Sequence, residues 1–383
     1  MTAPVNNQQH EFDGRVRQRD PLSARLPAFP WDSLADAKQR AAAHPGGICD
    51  LSVGTPVDPT PQLAIDALAA GATRWAGYPT VWGTPALRQS IIGYLERRWQ
   101  ARGLTERNVL PVIGTKELVA WLPTQLGLGP DDLIVIPSTA YPTYEVGAAI
   151  VGATVQRCDD PARIDGIPAL VWINSPANPH GAILSPEQTR AWVDYARSVG
   201  AVLASDECYG EFGWEAEPCS VLDAEICGGS FDGLLAVHSL SKRSNMAGYR
   251  GGFIAGDDKL CMELLELRKH GGMMLPGPVQ DAMVAALDDH AHVEEQRQRY
   301  LARRAILKPA LEEAGFTIDH SEGSLYLWAT RGEDCRQTID WLAERGILAA
   351  PADFYGTASS QHVRIALTAS DERIAAAAQR LTG

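Results

Sequence analysis

The chain has 383 residues, 45% of them hydrophobic and 21% charged, which is enough for about two domains with sizeable cores and excludes bulk disorder. A formal charge of −13, from 34 basic and 47 acidic side chains, argues against nucleic acid and anionic membrane as partners. No apolar stretch approaches a bilayer span, the first twenty residues lack an apolar leader core, and seven scattered cysteines form no C-x-x-C pair, so a cytoplasmic protein with no metal site is expected.

Residues 1–20 are polar and unpatterned and read as a mobile tail. From Leu51 onward, apolar runs of strand length alternate with amphipathic windows, the pattern of α/β units on a mostly parallel sheet. In chain order the spacing predicts helices over 85–102 and 115–126, a strand over 133–137, a strand over 169–174 and a helix over 186–198. Strands over 201–205, 234–238 and 252–255 follow, with helices over 259–270 and 292–313. Beyond that point the strands are shorter, at 316–319, 325–329 and 363–367. A large α/β domain over 51–284 and a smaller α+β domain built from 21–50 and 285–383 are therefore expected.

The chemistry is concentrated in loops that follow predicted buried strands, where open α/β sheets place their ligands. In SLSKRSNMAGYRGG, Lys242 lies among Ser239, Ser241, Arg250 and several glycines, a set suited to a phosphate monoester. A lysine surrounded by cations in a dry site has a depressed pKa, so its amine is partly neutral and nucleophilic. ALVWINSPANPHG delivers Asn178 from another strand, and AVLASDECYGEFGW delivers Asp206 with Tyr209 three residues later. A lone acid at a strand end is ordinarily a helix cap or a solvated carboxylate; three such loops on successive strands point instead to one site.

Asn178, Asp206-x-x-Tyr209, Ser239-x-Ser241-Lys242, Arg250 and Arg364 in HVRIAL together resemble the pyridoxal-5′-phosphate-dependent aminotransferases of fold type I, in order and in spacing. The resemblance extends from about Leu26 to the end and includes LSVGTP, GYPTVWGTPALR and AYPTY; VIGTKELVAWLPT and HSLSKRSNMAGYRGGF are similar to N-succinyldiaminopimelate aminotransferases of actinobacteria. It implies that Lys242 carries the cofactor and then acts as general base, while Asp206 pairs with the ring nitrogen. Tyr209 and Asn178 would bond the ring's phenolic oxygen, and Tyr141 would stack on its face. Ser239, Ser241, Arg250 and the amides of Thr115 and Lys116, at a predicted helix start, would hold the phosphate. Arg364, helped by Asn178 and the backbone of Gly54, would take the substrate α-carboxylate. Tyr78 would reach the phosphate of a partner subunit, giving a homodimer with shared active sites.

Two departures from the family pattern stand out. His180 occupies a loop position where threonine is frequent, and a loop-capping role is favoured for it. About 30 residues beyond Lys242, where aspartate aminotransferases carry an arginine for the side-chain carboxylate, this chain has Gly271, Gly272, Met273 and Met274, leaving room for a longer substrate. The expected reaction moves the amino group of L-glutamate to N-succinyl-2-amino-6-ketopimelate, with Lys116, Arg243 and Arg25 as candidates for the distal carboxylate. Another aminotransferase or a C–S β-lyase of the same fold is the alternative, and a non-catalytic cofactor-binding regulator is a remote one.

Overall fold

The computed structural model describes residues 21–383, so the tail expected over 1–20 lies outside the described residues. Seven strands form the larger sheet in the spatial order Val109–Val112, Gly252–Gly256, Leu234–Ser239, Val202–Asp206, Leu170–Asn174, Leu133–Ile136 and Thr154–Arg157. All neighbours are parallel except Gly252–Gly256, which runs antiparallel to both of its own. Leu170–Asn174 and Leu234–Ser239 are buried along their whole length, as a sheet covered by helices on both faces requires.

Register decides what meets at the carboxyl edge of this sheet. Asn174 pairs with Asp206 and Asp206 with Val237, two residues before the third strand ends at Ser239, so the loops that follow three adjacent strands open onto one crevice. The flanking helices carry local start and stop signals. Thr84 caps Pro85–Trp99 by accepting from the Leu87 amide at 3.1 Å, and Ser185 with Gln188 forms a capping box on Pro186–Val199, which ends at left-handed Gly200.

A four-stranded antiparallel sheet follows in the order Ala350–Pro351, His362–Ala366, Tyr326–Thr330 and Thr317–Asp319. The N-terminal segment joins this part of the molecule: Cys49–Asp50 pairs in parallel with Ile347–Leu348, and the Ala366 amide donates to the Leu51 carbonyl at 2.8 Å. That bond draws residues 51–54 alongside Arg364. The helix Gly277–Asp288 runs through residue 285 and packs on Gln62–Gly71 and Pro85–Trp99, whereas Ala291–Glu313 packs on Asp371–Thr382. We therefore propose the division between the two units at 289–290, just past the expected position. Among the described residues no helix is long and apolar enough to cross a membrane.

Candidate active site

A cavity of about 430 Å³ opens where the carboxyl edge of the large sheet faces the small one. Its wall brings together Gly54, Thr115, Lys116, Tyr141, Asn178, Asp206, Tyr209, Ser239, Ser241, Lys242, Arg250 and Arg364. Of the residues that the resemblance assigns to the cofactor and the substrate α-carboxylate, Tyr78 alone stands outside this wall; it is 95% exposed, so it is not packed inside its own subunit.

Lys242 follows the strand Leu234–Ser239 and donates to the carbonyl of Gly54. Burial, then the positive charges of Arg364 and Arg250, bring its pKa down to about 8, the direction a nucleophilic amine needs. The Gly54 carbonyl thus engages Lys242, while the backbone oxygen beside Arg364 is that of Ser52, at 2.6 Å from Nη2. Gly54 is also sterically required: a Cβ there would lie 2.0 Å from the Tyr326 hydroxyl.

Arg364 is 3% exposed and donates through Nη1 to Asn178 Oδ1 at 2.8 Å, with its guanidinium 4.1 Å from the centre of the Tyr326 ring. Its Nε is buried without a partner, a donor that a carboxylate would satisfy. Asn178 is itself fixed, since its amide donates to Asn174 Oδ1 at 2.7 Å, and Asn174 in turn donates to the Asp206 carbonyl at 2.8 Å.

Asp206 ends its strand with Oδ1 accepting from the Cys208 amide at 3.1 Å and Oδ2 accepting from the Tyr144 hydroxyl at 2.8 Å. Burial pushes its pKa up and these two bonds oppose the rise, so a cation beside it would be strongly held. Tyr209 shares a 2.7 Å hydrogen bond with Tyr326, and burial pushes its hydroxyl pKa well above the ordinary value. Tyr141 is pushed up to about 12, chiefly by burial, so it too stays neutral at physiological pH.

The cradle inferred for a phosphate is built from three sources. Gly114 caps the helix Thr115–Gln125 with no side chain to satisfy its first amides, leaving them to an outside acceptor at the positive end of the helix. Gly114 has φ of +77°, and a Cβ there would lie 2.2 Å from Arg250 Nη2, so glycine is what allows Arg250 to close over that end. Ser239 accepts from the Ser241 amide at 3.1 Å and completes the cavity wall. The residues present therefore fit a phosphorylated pyridine aldehyde: an amine with a depressed pKa, a buried carboxylate, an anion cradle and an unsatisfied guanidinium donor.

The remaining candidates separate. Arg243 is buried away from the cavity, bonded to Glu211 Oε1 at 3.1 Å and to the Ala286 carbonyl at 2.7 Å, and Arg25 is exposed outside the wall. His180 accepts from the Ala182 amide at 3.2 Å, and burial, with His320 adding to it, lowers its pKa to about 4. It lines a separate cavity with His320. The Gly271–Met274 segment does not line the cavity of its own chain. Sequence reasoning missed Tyr144, Asn174, Cys208, Tyr326, Phe29 and Trp31. Tyr144 carried a signal, lying one turn beyond Tyr141 in AYPTY; Phe29 and Trp31 carried none, since they precede any recognisable motif.

Residues 47–381 match the family model described as aminotransferase class I and II. A probable aminotransferase of Mycobacterium tuberculosis is 58% identical over 370 residues, covering 96% of this chain and 88% of the relative. A 4-dedimethylamino-4-oxo-anhydrotetracycline transaminase of Streptomyces rimosus is 56% identical over 360 residues, covering 93% and 99%. Among solved structures, a probable N-succinyldiaminopimelate aminotransferase of Thermus thermophilus matches with a TM-score of 0.84 at 27% identity, covering 92% of this chain and 99% of its own.

Proposed function

Because this chain belongs to the class I and II aminotransferases, pyridoxal-5′-phosphate-dependent enzymes of fold type I, we propose that it transfers the amino group of L-glutamate to N-succinyl-2-amino-6-ketopimelate. The products are 2-oxoglutarate and N-succinyl-LL-2,6-diaminopimelate. When bound, the cofactor ring supplies an electron sink for the bond broken at the substrate α-carbon. Arg364 holds the α-carboxylate of donor and acceptor in turn, with its unpartnered Nε and one Nη as the two prongs. Lys242, partly neutral near pH 8, takes the α-proton and returns it on the other side of the transfer. With the cofactor bound, Asp206 would keep a proton on the ring nitrogen, and Tyr209 with the amide nitrogen of Asn178 would donate to the ring's phenolic oxygen. Asn178 can serve both groups because its Oδ1 already belongs to Arg364.

The observation that carries the acceptor assignment is Lys116. Among the described cations of the cavity wall it is the one left after Lys242, Arg250 and Arg364 have been given their roles, and its ammonium stands 5.9 Å from the centre of the Phe29 ring, also part of the wall. It supports a distal carboxylate on a long acceptor. Nothing in the Gly271–Met274 segment supplies the arginine that a short dicarboxylate needs. A homodimer with Tyr78 serving the neighbouring site is part of the same proposal, supported by that side chain's exposure. Seven free thiols support a reducing, cytoplasmic setting.

The Streptomyces relative favours a second reading, in which the acceptor is a polycyclic ring ketone and lacks the α-carboxylate that Arg364 binds. A panel of acceptors assayed with glutamate separates the two. The succinylated ketopimelate should exceed oxaloacetate in kcat/KM by on the order of 10³-fold, since oxaloacetate leaves a charge without its clamp. Equal rates with oxaloacetate would overturn the acceptor, preference for a 4-oxo polycycle would establish the second reading, and release of ammonia with a keto acid would mark a β-lyase.

A further inference from the structure

Tyr144 lies outside the cavity wall, yet it touches the residue on which the ring's electronics depend. Its side chain is fully buried, its hydroxyl donates to Asp206 Oδ2 at 2.8 Å, and its ring stacks on Trp172 with centroids 4.9 Å apart and planes at 23°. Trp172 is 1% exposed and sits in the strand Leu170–Asn174, the direct neighbour of the strand that ends at Asp206. Tyr141 meets Tyr144 edge-on at 5.8 Å, so the hydroxyl is held from two sides. The phenol has no freedom to turn away from the carboxylate.

We propose that Tyr144 is a positioning residue that keeps Asp206 ionised and thereby keeps the proton on the cofactor's ring nitrogen. This rests on the assignment of Asp206 to that nitrogen. The physical reason is a competition for one proton between two neighbouring bases. In a buried pair the proton sits either on the ring nitrogen, leaving a carboxylate, or on the carboxyl, leaving a neutral ring. Burial alone favours the neutral pair. A hydroxyl donated to the carboxylate stabilises only the charged arrangement, because a carboxylate accepts a short hydrogen bond more strongly than a carboxylic acid does. The Cys208 amide acts in the same direction on the other oxygen at 3.1 Å. Removing the Tyr144 hydroxyl shifts the proton toward Asp206 and makes the ring a shallower sink, without altering what binds the phosphate or the substrate carboxylate.

The test uses holoenzyme reconstituted with ring-¹⁵N cofactor, in the wild type, Tyr144→Phe and Asp206→Asn. Tyr144→Phe should move the ring ¹⁵N resonance part of the way toward the unprotonated position and slow the glutamate half-reaction by about tenfold or more, with the KM for glutamate little changed. Replacing Tyr144 by 3-fluorotyrosine, a stronger donor of nearly the same shape, should move the resonance the opposite way, which a purely packing role would not do. If Asp206→Asn leaves the resonance unmoved, the Asp206 assignment fails. If Asp206→Asn moves it while the Phe and fluorotyrosine forms both match wild type, the role of Tyr144 is refuted. Should the Phe form not fold, the fluorotyrosine shift alone decides in the same way.

Discussion

Nη1 of Arg364 donates to Oδ1 of Asn178 at 2.8 Å across 186 positions of sequence, joining the small sheet to the carboxyl edge of the large one. The bond fixes the side-chain amide of Asn178, and Nε of Arg364 is buried without a protein partner. One contact therefore orients both the group assigned to the ring oxygen and the group assigned to the substrate.

Arg364→Ala should raise the KM of glutamate and of any α-keto acid acceptor together, by on the order of 10²-fold or more, because a buried carboxylate would be left without its cation. Arg364→Lys should restore little of this, since an ammonium cannot keep the Asn178 and Ser52 bonds and also offer two parallel donors. Steady-state kinetics with both substrates checks it. An Arg364→Ala enzyme with unaltered KM values would remove the clamp from the account.

The depressed pKa of Lys242 has two consequences for the cofactor-free chain. The rate of cofactor loading should rise with pH through about 8, as the amine becomes neutral. Between that value and the ordinary 10.5 of a free lysine, the unfolded chain binds more protons than the folded one, so stability should increase as pH rises across that window. Below about 8 both states are protonated and the penalty for burying the charge is constant. Lys242→Met should abolish this part of the pH dependence in denaturant melts; identical profiles for the two proteins would contradict it.

Exposed Tyr78 leads to a complementation result. A Tyr78→Ala subunit keeps Lys242 and a Lys242→Ala subunit keeps Tyr78, so a hybrid dimer contains one intact site if Tyr78 serves its neighbour. Mixing the two impaired proteins under refolding conditions should recover cofactor affinity and activity at up to half the sites of the hybrid. Absence of recovery in verified hybrids, or a monomer in sedimentation, would place the whole site within one chain.

Much of this was legible in the sequence because parallel strands buried on both faces read as unbroken apolar runs. Leu170–Asn174 and Leu234–Ser239 stand within one residue of their expected limits. The edge strand Val109–Val112 was not legible, since four residues including Pro111 give no alternation and proline argues against a strand. The helix Thr143–Val151 and the strand Thr154–Arg157 merge into one apolar stretch in sequence, separated only by the turn at Gly152. In the cavity, Asn178, Asp206, Tyr209, Ser239, Ser241 and Lys242 were read from the segments that follow the buried strands, whereas Asn174, at the end of its own strand, was not. Nor was Tyr326, because on a strand of the small sheet it is indistinguishable from core until Tyr209 is seen 2.7 Å away.

The most direct test of the central claim is chemical trapping of the cofactor. Purified holoenzyme should be yellow, and borohydride reduction followed by peptide mapping should place the cofactor mass on the peptide containing Lys242, with colour and turnover lost in Lys242→Ala. Label on the peptide containing Lys116, the other lysine of the cavity wall, would contradict the account, as would turnover that persists without Lys242.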